Sequence, residues 1–259
     1  MIFDSHIHTE FSADSEMKAQ EAQQAAARQG FGLVFTEHLD ADYTSKEGKT
    51  FSFAPEDYWR TYSPVRGDNL HLGVEIGMRE STCDFSAEFS RRVPFDMVIC
   101  SQHMVDDLDI YYPDYYEGKV KQEAYHRYFV QMAENLRRHS FANSLGHIDY
   151  ICRYAPYADA EIHYAEFADE IDAVLKTAVA TDTVLEINTR RLGDKSALEN
   201  LAPIYKRYRE LGGRFVTLGS DAHTPEAVGA HLMLAYDFAE SLNLQPVTFR
   251  QRQMVNSQK

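Results

Sequence analysis

Short apolar runs alternate with longer helical patterns along this 259-residue chain, and this alternation restricts most strongly what the chain can fold into. The runs are rich in β-branched and aromatic residues and are bounded by polar residues or glycine, which is typical of buried strands. Seven strands are predicted: Ile2–Ile7, Gly32–Thr36, Leu70–Ile76, Phe95–Cys100, Ala142–Leu145, Val184–Ile187 and Phe215–Leu218. Strands that alternate with helices pair in parallel, so we expect either a closed barrel or a doubly wound sheet.

Segments outside these strands carry apolar residues at steps of three and four, the spacing of amphipathic helices. Two long connections, Leu39–Gly67 and Met104–Gly118, have no clear period, and loops of this length are usually functional or mobile. Helices are predicted over Glu16–Gln29, within Gly118–His139, from Tyr164 to Ala178, from a capping box of Ser196 and Glu199, and from Thr224, an N-cap that Pro225 follows.

The chain is acidic, with 26 lysine and arginine residues against 40 aspartate and glutamate residues and a formal net charge of −14. This charge repels phosphate backbones and anionic lipid surfaces, so neither nucleic acid nor a membrane is expected as a partner. The apolar runs are far shorter than the roughly 20 residues that cross a bilayer. Widely spaced cysteines and the lack of a recognisable secretion signal predict a cytoplasmic protein.

Histidines and carboxylates stand at the ends of the predicted strands. His6 and His8 close the first strand, and both imidazoles are expected on one side because side chains alternate along an extended chain. In barrel enzymes the reactive groups come from the carboxyl ends of several strands, whereas an open sheet gathers them at one switch point. The pattern therefore favours a barrel, although any one histidine could be an ordinary hydrogen-bonded side chain. The later strand ends supply His38, Glu75, His103, His147, Asp221 and His223.

The order of these residues resembles the motifs of the polymerase and histidinol phosphatase (PHP) superfamily. The resemblance rests on Asp4-x-His6-x-His8, Thr36-Glu37-His38, Gly73-x-Glu75, Ser101-x-His103, Gly146-His147-x-Asp149 and Ser220-Asp221-x-His223. Its monofunctional histidinol-phosphate phosphatase branch is indicated by Phe11-Ser12-x-Asp14-Ser15 and Glu186-Ile187-Asn188-Thr189. The resemblance implies one α/β domain over residues 1–259, a distorted, TIM-like (β/α)7 barrel with a metal site at the C-terminal ends of its strands.

The resemblance also implies three divalent metal ions held by nine residues: His6, His8, Asp14, His38, Glu75, His103, His147, Asp221 and His223. For Asp14 a second interpretation stays open, in which it caps the following helix. Imidazole nitrogens together with carboxylate oxygens suit zinc, iron or manganese better than calcium or magnesium. Three such ions would make this centre positive within an acidic protein, so it would attract a phosphate ester.

The activity implied by the resemblance is hydrolysis of L-histidinol phosphate to L-histidinol and phosphate, a step of histidine biosynthesis, by attack of a metal-bridging hydroxide. Glu75 is expected to bridge metal ions. Asp149 is expected to orient an imidazole or to protonate the leaving group, and Asp4 to orient an imidazole, with surface carboxylates as the alternative for both. Arginines after the fifth and sixth strands are expected to bind the phosphate oxygens, with ordinary surface arginines as the alternative: Arg153, and Arg190 or Arg191.

Two other functions remain compatible with the sequence. The same chemistry could act on phosphotyrosine or on a sugar or nucleotide phosphate, and a metal-stabilised module without catalysis is a further alternative. One loop combines acidic and aromatic residues that could receive an ammonium and an imidazole, although a solvated acidic loop would have the same composition. Its residues are Asp106, Asp107, Asp109, Tyr111 and Tyr112.

Overall fold

A mostly parallel sheet is the frame of the fold in the computed structural model, which describes residues 1–258. The strands are β1 Phe3–Ile7, β2 Gly32–Leu39, β3 Leu70–Gly77, β4 Met97–Ser101, β5 Met104–Val105, β6 Leu108–Asp109, β7 Ser144–Leu145, β8 Val184–Asn188, β9 Phe215–Gly219, β10 Gln245–Arg250 and β11 Gln253–Asn256. Nine of them form the sheet in the order β1-β2-β3-β4-β7-β8-β9-β10-β11. Its neighbours pair in parallel up to β10, whereas β11 is antiparallel to β10 and β5 pairs with β6 in a separate hairpin.

Helices lie between most of the strands and cover one face of the sheet. They are α1 Ala19–Gln29, α2 Pro55–Tyr62, α3 Cys83–Arg92, α4 Lys121–Arg138, α5 Ala168–Ala180, α6 Lys195–Glu210 and α7 Leu232–Ser241. Apolar residues at helical spacing, such as Tyr125, Phe129 and Met132 of α4, belong to the large buried core. Within residues 1–258, no helix has both the length and the apolar character needed to cross a membrane.

Each of the seven predicted strands overlaps a strand of the sheet, so the predicted α/β class with parallel pairing is confirmed. The sequence interpretation missed β10, β11 and the small hairpin. It also placed the start of α7 too early, because Gly229 and His231 adopt left-handed φ values of 71° and 56° that interrupt a helix beginning at Thr224. Helix α6 is capped by Asp194, whose side chain accepts from the Ser196 N–H, so the predicted capping box is wrong.

The face of the sheet opposite the helices carries a small apolar cluster made of strand residues: Phe3, Val34, Met97, Ile99, Val184, Val247 and Phe249. Polar side chains follow at steps of two along the same strands. Thr36 and His38 follow Val34 in β2, and Glu186 and Asn188 follow Val184 in β8. Because side chains alternate along a strand, this face is apolar near the strand starts and polar near the strand ends.

The carboxyl end of β1 approaches the chain that follows β9. Ile7 and Ala222 form an isolated parallel bridge. The Asp221 N–H donates to the carbonyl oxygen of His6 at 2.8 Å, and the His8 N–H donates to that of Ala222 at 2.9 Å. The first and last motifs of the sequence are thus joined by backbone hydrogen bonds.

Candidate metal centre

Glu75, in β3, lies at the centre of a buried group of histidines. Its Oε2 is 3.3 Å from Nε2 of His6, 3.5 Å from Nε2 of His8 and 2.9 Å from Nδ1 of His38. The side chains of Glu75, His6 and His8 are fully buried. One carboxylate oxygen therefore faces imidazoles contributed by two strands, β1 and β2, and by the residue that follows β1.

The second oxygen of Glu75 faces residues at and beyond the ends of β4 and β7. Its Oε1 is 2.9 Å from Nε2 of His147 and 3.3 Å from Nε2 of His103. The Ser101 hydroxyl donates a hydrogen bond of 2.7 Å to the same oxygen. Because its two oxygens face different imidazoles, the geometry allows Glu75 to bridge two metal ions.

Two aspartates complete the cluster. Asp221, after β9, places Oδ1 3.4 Å from Nε2 of His8. Asp14 places Oδ2 3.1 Å from Nε2 of His223 and 3.6 Å from Nε2 of His38. Helix α1 begins well after Asp14 and has a different N-cap, so the alternative interpretation of Asp14 as a helix cap is wrong. The structure brings all nine predicted ligand side chains into one site.

The donor atoms of this cluster fit metal ions. Five of its buried atoms have no hydrogen-bond partner in the part of the chain that the structure describes: His6 Nε2, His8 Nε2, His38 Nδ1, His147 Nδ1 and Glu75 Oε2. A buried polar atom left unpaired costs about 1–3 kcal/mol, which a bound cation would offset. Ligand atoms lie within 4.8 Å of one another in four triads: His8, His38 and His223; His6, His8 and Asp221; His6, Glu75 and His147; His38, Asp40 and His103.

The carboxylates of the cluster make it attractive to positive charge. Burial raises the pKa of Glu75, but the surrounding imidazoles, His6 foremost, outweigh this effect and hold it well below its usual range. Burial lowers the pKa of His103, but Asp40 and Glu75 outweigh it and raise the pKa to about 10. A proton or a metal cation can therefore neutralise the negative potential of the site.

Carboxylates behind two of the imidazoles fix their ring orientation. Glu186 Oε1 is 2.7 Å from Nδ1 of His6, and Asp40 Oδ1 is 2.9 Å from Nδ1 of His103. Such contacts leave the other ring nitrogen free to bind a metal ion. Sequence reasoning assigned no role to either acid, although Asp40 comes two residues after His38 and Glu186 lies near the end of a predicted strand.

The ring of His8 is held through a hydroxyl. Ser12 Oγ is 3.0 Å from Nδ1 of His8 and donates to Oε2 of Glu37 at 2.6 Å. Glu37 also accepts from the backbone N–H and the hydroxyl of Thr9. Glu37 is therefore a structural anchor for the loop that carries His8.

Asp4 and Asp149 contact other groups than the imidazoles predicted for them. The Asp4 carboxylate accepts two backbone N–H bonds of 2.8 Å from the segment after β9. Asp149 accepts from Nη1 of Arg191 at 3.0 Å, and Glu161 binds the other end of that guanidinium. The orienting role predicted for Asp4 and Asp149 is wrong. The structure also does not support Asp149 as an acid or Arg191 as a phosphate ligand, because each is engaged by the other away from the cavity lining.

Two arginines lie beside the cluster. Nη1 of Arg153 donates to Oδ2 of Asp221 at 2.7 Å, and its Nη2 donates to Oδ1 of Asn188 at 3.0 Å. Nη1 of Arg190 donates to the carbonyl oxygen of Asp221 at 3.2 Å. Because Asp221 is a predicted ligand, both guanidinium groups border the cluster of candidate metal ligands.

Comparison with known proteins gives this site a family. The sequence model of the PHP domain matches residues 4–190 of the chain, a span that includes seven of the nine predicted ligands. The chain belongs to the PHP family. The family predicted from the motifs is therefore confirmed.

Relatives place the chain in the histidinol-phosphatase branch of the PHP family. The probable histidinol-phosphatase of Clostridium acetobutylicum is 45% identical over 254 residues, 98% of this chain and 99% of that protein. The histidinol-phosphatase of Lactococcus lactis is 31% identical over 227 residues, 85% of this chain and 83% of that protein. The crystal structure of histidinol phosphate phosphatase from Lactococcus lactis, complexed with zinc, L-histidinol and phosphate, matches with a TM-score of 0.90 and 28% identity, covering 98% of this chain and 99% of that one.

The cluster of candidate metal ligands in this PHP protein opens into a cavity of about 500 Å³. Arg153 and Arg190 line the cavity together with several of the predicted metal ligands. The remaining lining comes from the segments after β2, β4 and β7: Asp40, Tyr43, Ser45, Glu47, Lys49, Phe51, Met104, Asp109, Tyr111, Tyr112, Tyr150 and Tyr154. One part of the wall therefore carries arginines and metal ligands, and another carries acidic and aromatic side chains.

Asp109 is the acid of the predicted acidic loop that lines this cavity. It accepts hydrogen bonds from the Tyr43 hydroxyl and, at 2.8 Å, from the N–H of Tyr111. Asp106 and Asp107 each pair with an arginine and do not line the cavity. The prediction that the loop acids receive a substrate cation is therefore wrong for those two.

Proposed function

We propose that this protein hydrolyses L-histidinol phosphate to L-histidinol and phosphate, the reaction of histidine biosynthesis for which its relatives are named. One observation carries the proposal: a chain similar over almost its whole length to histidinol-phosphatases gathers nine potential metal ligands and two arginines at one cavity. A non-catalytic module is disfavoured because every ligand position holds a competent side chain. The Lactococcus lactis enzyme crystallised with zinc, L-histidinol and phosphate supports the same substrate.

We further propose that the cluster holds three divalent transition-metal ions. The ligands would be His6, His8, Asp14, His38, Glu75, His103, His147, Asp221 and His223, with Glu75 as a bridge. Mixed nitrogen and oxygen donors suit zinc, iron or manganese. Such ions lower the pKa of a coordinated water and neutralise charge on a phosphoryl group.

The chain's own residues would position the two ends of the substrate. Arg153 and Arg190 border the metal cluster and would bind phosphoryl oxygens with planar donors. Asp109, with Tyr111 and Tyr154 near it in the lining, would receive the ammonium and imidazole of the histidinol moiety. This charge arrangement matches a phosphate ester whose alcohol carries a positive charge.

For the fold we propose a single-domain, distorted (β/α)7 barrel over the described residues 1–258, with residue 259 of the predicted domain lying outside them. The support is the contact between β1 and the segment after β9, where Ile7 and Ala222 pair and the backbones of His6 and Asp221 are hydrogen-bonded. Closure at this point would converge the strand ends over one mouth, as in other parallel barrels.

The substrate is tested by measuring kcat/KM for L-histidinol phosphate, p-nitrophenyl phosphate, phosphotyrosine, a sugar phosphate and a nucleotide with zinc, manganese or iron added to chelator-treated protein. We expect L-histidinol phosphate to be hydrolysed with the highest kcat/KM. A preference for another ester would retain the phosphatase activity but overturn the substrate. Absence of phosphate release with every metal would overturn catalysis.

A further inference from the structure

Glu186, in β8, lies between metal ligands and the arginines, and its side chain is fully buried. Its Oε1 accepts from Nδ1–H of His6 at 2.7 Å. Its Oε2 accepts from the backbone N–H of His147 at 2.7 Å and from Nδ2 of Asn188 at 3.1 Å. One carboxylate therefore touches two predicted ligand residues and a neighbouring amide.

Asn188 continues this network to the arginines. Because its Nδ2 donates to Glu186, its Oδ1 points the other way and accepts from Nη2 of Arg153 at 3.0 Å and from the N–H of Arg190 at 3.1 Å. The orientation of the amide is thus set by the carboxylate. The guanidinium of Arg153 in turn rests on that amide.

The surroundings give the Glu186 carboxylate a single position. The Tyr205 hydroxyl donates to the Glu186 carbonyl oxygen and fixes the strand at this residue. A Cβ at Gly219, in the neighbouring β9, would collide with both the Glu186 carboxylate and the side chain of His6. The absence of a side chain at Gly219 therefore leaves the space that the carboxylate and the imidazole occupy.

We propose that Glu186 is a positioning residue that couples metal binding at His6 and His147 to phosphate binding at Arg153. The choice of phosphate as the anion rests on the proposed function, because phosphate is the product of that reaction. The coupling itself rests on the hydrogen bonds that join Glu186 to His6, His147 and Asn188.

Glutamine at position 186 would supply one acceptor and one donor where two acceptors are needed. With its nitrogen toward His6, the ring proton must move to Nε2, and Nε2 can then no longer bind a metal ion. With its nitrogen toward Asn188, donor opposes donor. Asn188 would then have to flip and turn its own NH2 group toward Arg153.

The test measures two affinities without turnover, in wild type, Glu186→Gln, Asn188→Ala and the double variant. Zinc affinity of chelator-treated protein is measured by competition with a chromophoric chelator, and affinity of zinc-saturated protein for inorganic phosphate by calorimetry. We expect Glu186→Gln to weaken zinc binding about 10–100-fold and to weaken phosphate binding as well. We expect Asn188→Ala to weaken phosphate binding alone, and the double variant to bind phosphate no more weakly than Glu186→Gln.

Asp96→Asn is the matched control, because Asp96 is an equally buried carboxylate that contacts neither ligand nor arginine of the site. It is expected to lower Tm without changing either affinity. The coupling is overturned if Glu186→Gln retains either affinity, or if the effects of Glu186→Gln and Asn188→Ala on phosphate binding multiply.

A second variant covers the case in which Glu186→Gln does not fold. In Glu186→Asp the carboxylate is one methylene shorter and cannot hold His6 and Asn188 at once, so retention of both affinities would overturn the coupling. Neither measurement depends on catalysis. A protein that shows the coupled losses but hydrolyses no phosphate ester would contradict the proposed function and leave this inference standing.

Discussion

Two fully buried carboxylates, Asp96 and Glu75, lie at opposite ends of the parallel strands. They differ in the groups that surround them. Asp96, just before β4, accepts four hydrogen bonds from fixed donors: two from the guanidinium of Arg66 and one each from the N–H groups of Leu72 and Gln251. Glu75, near the carboxyl end of β3, accepts one hydroxyl hydrogen bond and otherwise faces imidazoles. Its Oε2 has no hydrogen-bond partner among residues 1–258.

This difference separates a buried carboxylate that stabilises the fold, Asp96, from one that is available to bind a ligand, Glu75. Burial raises the pKa of Asp96, but the hydrogen bonds from Arg66 outweigh it and lower the pKa below the usual range. A guanidinium stays protonated, so that pairing is permanent. The imidazoles around Glu75 can instead lose their protons and bind metal ions. This division agrees with the rule that the N-terminal face of parallel strands supplies stability and the C-terminal face supplies chemistry.

Glu75→Gln is expected to lower kcat/KM more than any other substitution considered. Loss of the bridging charge should remove about 4 kcal/mol or more of transition-state stabilisation, which corresponds to at least a ~1,000-fold decrease in kcat/KM. The rise in Tm that metal ions give to chelator-treated wild type should also shrink, because that rise reflects binding to the folded state. Calorimetric scans with and without zinc check this. Wild-type kcat/KM in the variant would show that Glu75 is not part of the metal centre.

Asp96→Asn should change stability rather than activity. Neutralising the buried carboxylate of this bidentate ion pair, whose arginine is partly exposed, costs about 3 kcal/mol of the free energy of unfolding, which urea denaturation measures. The kcat/KM per folded molecule should stay at the wild-type value, because Asp96 lies at the opposite end of the strands from the cluster. A loss of activity without a loss of stability would contradict the division between the two ends.

The stability difference between wild type and Asp96→Asn should also depend on pH with a definite sign. The folded-state pKa of Asp96 is lowered, so its carboxylate stabilises the fold above the unfolded-state pKa of about 3.9. That contribution is lost as the pH falls through the lower folded-state pKa. Urea denaturation should therefore give a constant difference between about pH 5 and 8 and a smaller one below about pH 4. A difference that grows in acid would rule out this assignment.

Arg153→Lys is expected to lower kcat/KM less than Glu75→Gln does. A lysine cannot span Asp221 and Asn188 as the guanidinium does, so we expect kcat/KM for L-histidinol phosphate to fall about 10–100-fold. Arg66→Lys is the matched control, since the Arg66 guanidinium also donates two hydrogen bonds, in its case both to the carboxylate of Asp96. It should lower Tm and leave kcat/KM unchanged. Equal losses of activity in both variants would mean that general destabilisation explains the effect of Arg153→Lys.

Residues whose side chains are typical metal ligands could be predicted from the sequence. Residues that act through contacts made only in the folded chain could not. His6, Glu75 and Asp221 could be found because metal-binding side chains at strand ends are uncommon as a set. Glu186 and Asp40 are ordinary carboxylates in sequence, and their contacts with imidazoles depend on how neighbouring strands are aligned. The residues next to Glu186 and Asp40 in sequence do not show which side chains of the neighbouring strands lie opposite them, because that depends on how the buried faces of the strands pack together.

The errors of prediction have a similar cause. Asp149 and Arg191 lie close in sequence to residues predicted for the site, yet they form a hydrogen bond with each other. Proximity in sequence does not determine where a side chain in a loop points. The expected helix start at Thr224 failed because Gly229 and His231 adopt left-handed φ values. A residue other than glycine adopts that conformation only when its surroundings impose it, which the sequence pattern does not show.

The smallest expected effect concerns recognition of the leaving group by Asp109. Asp109→Asn removes a negative charge from the cavity wall while its amide oxygen can still accept from the N–H of Tyr111. We expect KM for L-histidinol phosphate to rise about 10-fold, since an ammonium ion loses one charge-assisted hydrogen bond worth about 1.5 kcal/mol. The kcat/KM for p-nitrophenyl phosphate, which has no cation, should stay unchanged.

Asp106→Asn is the control for this variant, because Asp106 lies in the same loop but pairs with Arg127 outside the cavity lining. It should leave KM for both substrates at the wild-type value. If Asp109→Asn raised KM for both substrates equally, Asp109 would shape the cavity without recognising charge. Selectivity confined to the cationic substrate would instead show that Asp109, a carboxylate of the cavity wall that pairs with no arginine or lysine among residues 1–258, receives the cation of the substrate, as Glu75 is proposed to receive metal ions.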